Sequence, residues 1–190
     1  MAVFFLTIGI KVVTTNRPLL ISSKVFFIFM LIAFSPQFML TIDLILSSTT
    51  DLGLALYISP LMYLVLLMFC WVQMQGYIAI GISDESFRDA LHHALNNNQI
   101  PFEEQLSLIK LTAIDAHLQV AVQSWVGTGQ LKLKKSKDKT LLANLVSAMN
   151  DYYRTHAIKA NNTTAIFYIA LGLLMLVSAA SFYFLLSKNG

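Results

Sequence analysis

Between Leu54 and Ile82 the chain has no Asp, Glu, Lys, Arg or His, and an apolar run of that length is incompatible with exposure to water. About 20 apolar residues carry a helix across the hydrocarbon core of a bilayer, so the run predicts a membrane span. Gln73 and Gln75 mark its exit, and Trp71 and Tyr77 suit an interfacial aromatic belt. The surplus length predicts last turns that project into the headgroups or beyond. Composition agrees: 56% hydrophobic, 12% charged and a mean hydropathy of +0.66 over 190 residues fall outside the soluble range and predict a membrane protein.

Two further runs extend the pattern. Val25 to Ile42 is uncharged between Lys24 and Asp43, about 27 Å of helix at 1.5 Å per residue, and Pro36 predicts a kink within it. Asp43, at the end of the run, is expected to be hydrated at the interface. The polar link Ser47 to Asp51 is short enough to force antiparallel packing, so residues 19–82 read as a transmembrane helical hairpin. Ala165 to Leu186, about 33 Å long as a helix, is the expected third span, with residues 161–190 forming that span and a short tail. Within it Ala165, Gly172 and Ala179 recur every seven residues, a candidate packing seam against the hairpin or a second copy. Cys70, the one cysteine, lies inside the central run, so no intrachain disulfide can form.

Residues 1–18 are apolar but too short to span a bilayer. Val3, Phe5, Thr7 and Gly9 alternate with Phe4, Leu6, Ile8 and Ile10, and the β-branched content predicts a buried strand, with an interfacial segment as the alternative. Lys11 and Arg17 follow the apolar part rather than precede it, the reverse of a secretory signal.

Residues 83–160 change character, holding eight of the ten acidic and nine of the thirteen basic residues. Ser83 reads as an N-cap with Asp84 and Glu85 in the first turn. Phe87, Leu91, Ala94 and Leu95 then keep helical spacing until Asn96 to Asn98, with Pro101 confirming the break. Leu106 to Ile114 is strand-like. From His117 to Val126 the alternation is clear, with Leu118, Val120 and Val122 on one face and His117, Gln119, Ala121 and Gln123 on the other. Gly127 to Gly129 predicts a hairpin turn, and Leu131 and Leu133 continue the apolar face against Gln130, Lys132 and Lys134. Thr140 to His156 closes the domain as an amphipathic helix. The fold class expected is an α-helical membrane protein with three transmembrane helices and a small α+β domain, α-β-β-β-α, between helices 2 and 3. The N-terminal strand would supply a fourth strand to a core near the lower size limit.

Basic residues set the orientation. Lys11, Arg17 and Lys24 precede the first span and nine Lys or Arg lie between the second and third, whereas the short link has none and the tail only Lys188. The N-terminus and the domain are therefore expected in the cytoplasm, at a plasma (inner) membrane, with the C-terminus on the opposite side.

No motif assigns a catalytic residue. His92, His93, His117 and His156, with Asp115, Glu103 and Glu104, match no metal-ligand spacing, and Ser124 to Gly129 resembles neither a nucleophile elbow nor a phosphate loop. No cofactor, no metal and no nucleic-acid partner is expected. Lys132, Lys134, Lys135, Lys137 and Lys139 form the strongest local signal, a candidate contact for lipid headgroups or an acidic partner, against a merely solvated hairpin end. The function expected is a non-enzymatic membrane protein whose cytoplasmic domain is an interaction or regulatory module. It would bind a protein partner or self-associate through its membrane helices. The alternatives are an oligomeric transport or channel component, and a membrane-bound enzyme using the His and acidic residues of the domain.

Overall fold

A computed structural model describes residues 1–47, 53–105, 108–112, 114, 116–135, 139–156 and 158–189. Among them the chain forms six helices and a six-stranded antiparallel sheet: α1 (Ala2–Thr15), β1 (Leu19–Ser22), α2 (Ser23–Ser47), α3 (Gly53–Gln73), β2 (Tyr77–Ile80), α4 (Asp84–Asn97), β3 (Phe102–Gln105), β4 (Leu108–Leu111), β5 (Ala116–Gln123), β6 (Thr128–Lys134), α5 (Lys139–Thr155) and α6 (Thr163–Asn189). The sheet order is β1-β2-β6-β5-β4-β3. Two compact units result, residues 1–21 with 76–190, and residues 22–75.

The second unit is the α2–α3 hairpin. Phe38 stacks on Tyr63 with ring centroids 4.9 Å apart, and Phe27 meets Trp71 edge-on at 5.2 Å, so the two helices run antiparallel. Pro36 and Pro60 both lie inside their helices. The link from Ser48 to Asp51 lies outside the described residues. Among those described, two helices are long and apolar enough to cross a membrane, Ser23–Ser47 and Thr163–Ser181, while Ile58–Gln73 is a shorter apolar stretch. Met39, Leu40 and Leu46 on α2 and Leu174, Val177 and Phe184 on α6 are bare, as helices in lipid are and helices in a soluble core are not.

The first unit holds the sheet. In α4, Ser83 Oγ accepts from Ser86 N at 3.2 Å while Ser86 Oγ accepts from Ser83 N at 3.0 Å, a reciprocal cap with Asp84 and Glu85 favourably placed at the positive end of the helix. Its Phe87, Ala90, Leu91, Ala94 and Leu95 are fully buried at helical spacing. They join Leu142, Leu145, Val146, Met149 and Tyr153 of α5 and the inward faces of β4, β5 and β6 in one core. Leu20 of β1 enters the same core, and its N–H donates to Asn150 Oδ1 at 3.3 Å.

Three expectations are corrected. Ala2–Thr15 is an α-helix, not a strand. It packs on α6 so closely that a Cβ at Gly9 would lie 2.6 Å from Ala165 O and 2.7 Å from Ile169 Cγ1. The apolar face that would have sat on a sheet is satisfied by a partner helix, and a helix bonds its own backbone. The run Leu54 to Ile82 does not continue as one helix: α3 stops at Gln73, Gly76 takes φ +119°, and Tyr77–Ile80 pair with β6. An unbroken apolar run reads alike as buried helix or buried strand. The α-β-β-β-α order is also incomplete. β3 and β4 form a hairpin where one strand was expected, and β1 and β2 extend the other edge. Glu103, Glu104 and Gln105 hid β3, because polar residues are tolerated on an edge strand.

Candidate functional site

The cross-strand register decides which polar side chains share a surface. Lys110 pairs with His117, and His117 with Lys134; Leu108 pairs with Gln119, and Gln119 with Lys132; Ala121 pairs with Gln130. Side chains alternate across a strand, and Ile109, Leu111, Leu118 and Leu131 are buried in the core. Lys110, His117, Gln119, Gln130, Lys132 and Lys134 therefore occupy the opposite face, half-buried to exposed. With strands about 4.8 Å apart and residues i and i+2 about 7 Å apart, the three ammonium groups share a patch roughly 10 Å across. Glu103, which pairs with Lys110, is the carboxylate on this face among the described strands. The ion pairs among the described residues join Arg88 to Asp84 and Glu104, and His92 to Glu104, so none engages these lysines.

Of the predicted lysine cluster, Lys132 and Lys134 point onto this face. Lys135 follows them at φ 64° in the left-handed region and is exposed. Lys137 lies outside the described residues, and Lys139 opens α5. The residue that the sequence did not single out is Lys110. Its signal was the alternation of Lys110 with Ile109 and Leu111, which shows the face but not that the register brings it to Lys134.

The histidines separate. His92 Nε2 lies 3.0 Å from Glu104 Oε2 on the α4–β3 side, where Arg88 also reaches Glu104. The hydrogen bond that Arg88 Nε donates to Asp84 Oδ2 raises the guanidinium pKa above its ordinary value. His93 packs in a ring cluster with Tyr152 and His156. His117 is on the lysine face, and Asp115 is outside the described residues. No three His, Cys, Asp or Glu among the described residues are grouped closely enough to hold a metal. Thus the arrangement offers positive charge and amide donors on one strand surface; the hydroxyl–imidazole pair of Thr155 and His156, 3.0 Å apart, lies at the end of α5 beside Tyr152.

The small residues of α6 divide as well. Ala165 and Gly172 face α1, where a Cβ at Gly172 would meet Leu6 Cγ at 2.7 Å and Ala2 O at 3.1 Å, whereas Ala179, about two helical turns further on, is exposed. A search of family models, of curated proteins and of solved structures finds no match to this chain.

Proposed function

We propose that this is an integral membrane protein with three spans whose α+β domain is a non-enzymatic interaction module, docking an acidic surface of a protein partner on the face that carries Lys110, Lys132 and Lys134. In this reading α2, α3 and α6 cross a plasma (inner) membrane. The domain and the end of α1 that carries Lys11 and Arg17 are cytoplasmic, the start of α1 lies in the bilayer against α6, and the C-terminus is on the other side, as the placement of Lys11, Arg17 and Lys24 favours.

The observation that carries the reading is the alignment across β4 and β6 of three lysines that, among the described residues, have no ion-pair partner and are opposed on their own face by Glu103. Unpaired like charges about 7–10 Å apart repel by a few tenths of a kcal/mol each in water, a cost that an acidic partner reverses. Lys132 stands beside Gly76, three residues past the end of α3, so lipid headgroups are the competing ligand of this face.

A photo-crosslinker at Gln119, in the middle of the face, tests this in native membranes with the full chain. The expected adduct is a protein joined through an acidic segment, lost in the Lys110→Glu, Lys132→Glu, Lys134→Glu variant. Adducts to lipid alone, or a protein adduct indifferent to the three substitutions, would refute the assignment.

A further inference from the structure

We propose that Trp125 is an interfacial anchor: its indole, carried on the turn between β5 and β6, inserts at the headgroup–acyl boundary of the membrane that α6 enters. The proposal rests on the reading of α6 as a span. Trp125 is 82% exposed, more than any other large apolar side chain among those described. An indole is an expensive group to leave in water, and Trp is the side chain most at home at a bilayer surface, with an apolar body for the acyl boundary and an N–H for the wet side.

Its carrier is fixed. Val126 N and Gly127 N both donate to Gln123 O, at 3.1 and 2.9 Å. Ser124 O accepts from Asn161 Nδ2 at 2.7 Å, and Val126 O accepts from the Thr164 hydroxyl. The carbonyls on both sides of Trp125 are thus held by the residues that open α6. Gly81 N also donates to Gly127 O at 2.8 Å, and Asn161 N to Gly81 O at 3.0 Å. Gly127 has φ +79°, which a side chain would resist.

These bonds set the height of the indole along α6. The bare apolar surface of that helix begins at Ile166 and Phe167, 60% and 61% exposed. They stand two and three residues past Thr164, about 3–5 Å at the helical rise. Trp125 is therefore level with the point where α6 becomes a lipid-compatible surface. The charge pattern agrees: no Asp, Glu, Lys or Arg occurs from Leu118 to Leu131 or from Ala160 to Ser187, so bringing the turn to the interface buries no charge from either segment. The nearest carboxylate on a bonded neighbour is that of Asp84, whose N–H donates to Ser124 Oγ at 3.1 Å; it is paired with Arg88 and stays exposed.

The chain has two tryptophans, which makes the test direct. Trp71→Phe leaves Trp125 as the sole reporter in full-length protein reconstituted into liposomes. The expected results are blue-shifted emission, weak quenching by acrylamide, and strongest quenching by lipids brominated close to the headgroup. A water-like emission with full acrylamide access and no lipid quenching overturns the proposal. A second reporter, Phe167→Trp with both native tryptophans changed to Phe, reads the helix. Lipid quenching at position 167 with water at 125 overturns the anchor and leaves the span standing. Water at 167 with lipid at 125 removes the span and supports the anchor on its own, and water at both removes both.

Discussion

Gly9→Ala sets two known effects against each other on α1. Alanine is the better helix former by about 1 kcal/mol, so on an isolated helix the substitution should stabilise. Against this, the new Cβ would lie 2.6 Å from Ala165 O, and ordinary contact begins at 3.4 Å; the difference, 3.4 − 2.6, requires α1 to retreat about 0.8 Å. A gap of that order forfeits a quarter to a half of the contact attraction across the interface. Ile8 and Val12, 5% and 0% exposed, flank Gly9 on the buried side. Burial of such side chains contributes about 1.5–3 kcal/mol each, so the retreat costs about 1–3 kcal/mol. The steric loss exceeds the propensity gain, and a net destabilisation of about 1 kcal/mol is expected. Gly9→Leu, with a similar propensity gain but far more bulk, should cost a further 1–3 kcal/mol by overpacking. Val3→Ala, at a site 71% exposed on the outer side of α1, carries the propensity gain alone. Thermal melts of the full-length protein in detergent should rank Val3→Ala at or above the parent, then Gly9→Ala, then Gly9→Leu. A Gly9→Ala melt at or above the parent would refute the close approach of α1 to α6.

Two further outcomes follow from the sheet domain. Leu118→Ala, at a fully buried site on β5, should destabilise by about 2–5 kcal/mol, while Gln119→Ala on the opposite face should change stability by less than about 0.5 kcal/mol; equal protease resistance of the two would remove the one-sided sheet. Tyr153 is buried, its hydroxyl 3.4 Å from Ser86 O, and burial pushes its phenol well above the ordinary value of 10.0, with Tyr152 and Asp89 adding to the shift. Because the folded protein holds this proton more tightly than the unfolded chain, its stabilising effect is complete below about pH 10 and is lost as the pH climbs from there towards the raised value. Circular dichroism melts at pH 8 and pH 11 should therefore show a steeper alkaline loss for the parent than for Tyr153→Phe, and identical slopes would contradict the assignment.

The parts of the fold legible in the sequence are those where one face is wet and the other dry. α4 was legible from Ser83 to Asn97, because capping chemistry and a 3.6-residue period coincide there, and α5 for the same reason. β5 and β6 were legible because Leu118, Val120, Leu131 and Leu133 alternate with polar residues, but the turn between them is Ser124–Gly127, and Thr128 and Gly129, expected in the turn, pair with Gln123 and Val122. The failures occur where that contrast vanishes. α1 is apolar on nearly every side, so its β-branched residues were the remaining signal, and they indicate the wrong element once packing on α6 decides the outcome. Gln73 and Gln75 mark the end of α3 but do not distinguish a helix that leaves the membrane from a change to strand; Gly76, at a φ that helices do not use, was the sign that Tyr77–Ile80 form another element.

The lysine face divides along the same physical line. That Lys132 and Lys134 share a face follows from strand parity, a local property that any two residues on β6 must obey. That Lys110 joins them depends on which residue of β4 lies opposite His117, and that register is tied to the burial of Ile109 and Leu111 in the core. A slip of one residue in β4 would turn Lys110 into the core and Ile109 onto the lysine face, leaving a charge unpaired among Leu118 and Leu95 at a cost of several kcal/mol. The same burial that stabilises the sheet therefore determines the charge pattern on its far side, and a partner that recognises three lysines recognises a register that no segment of the chain specifies alone.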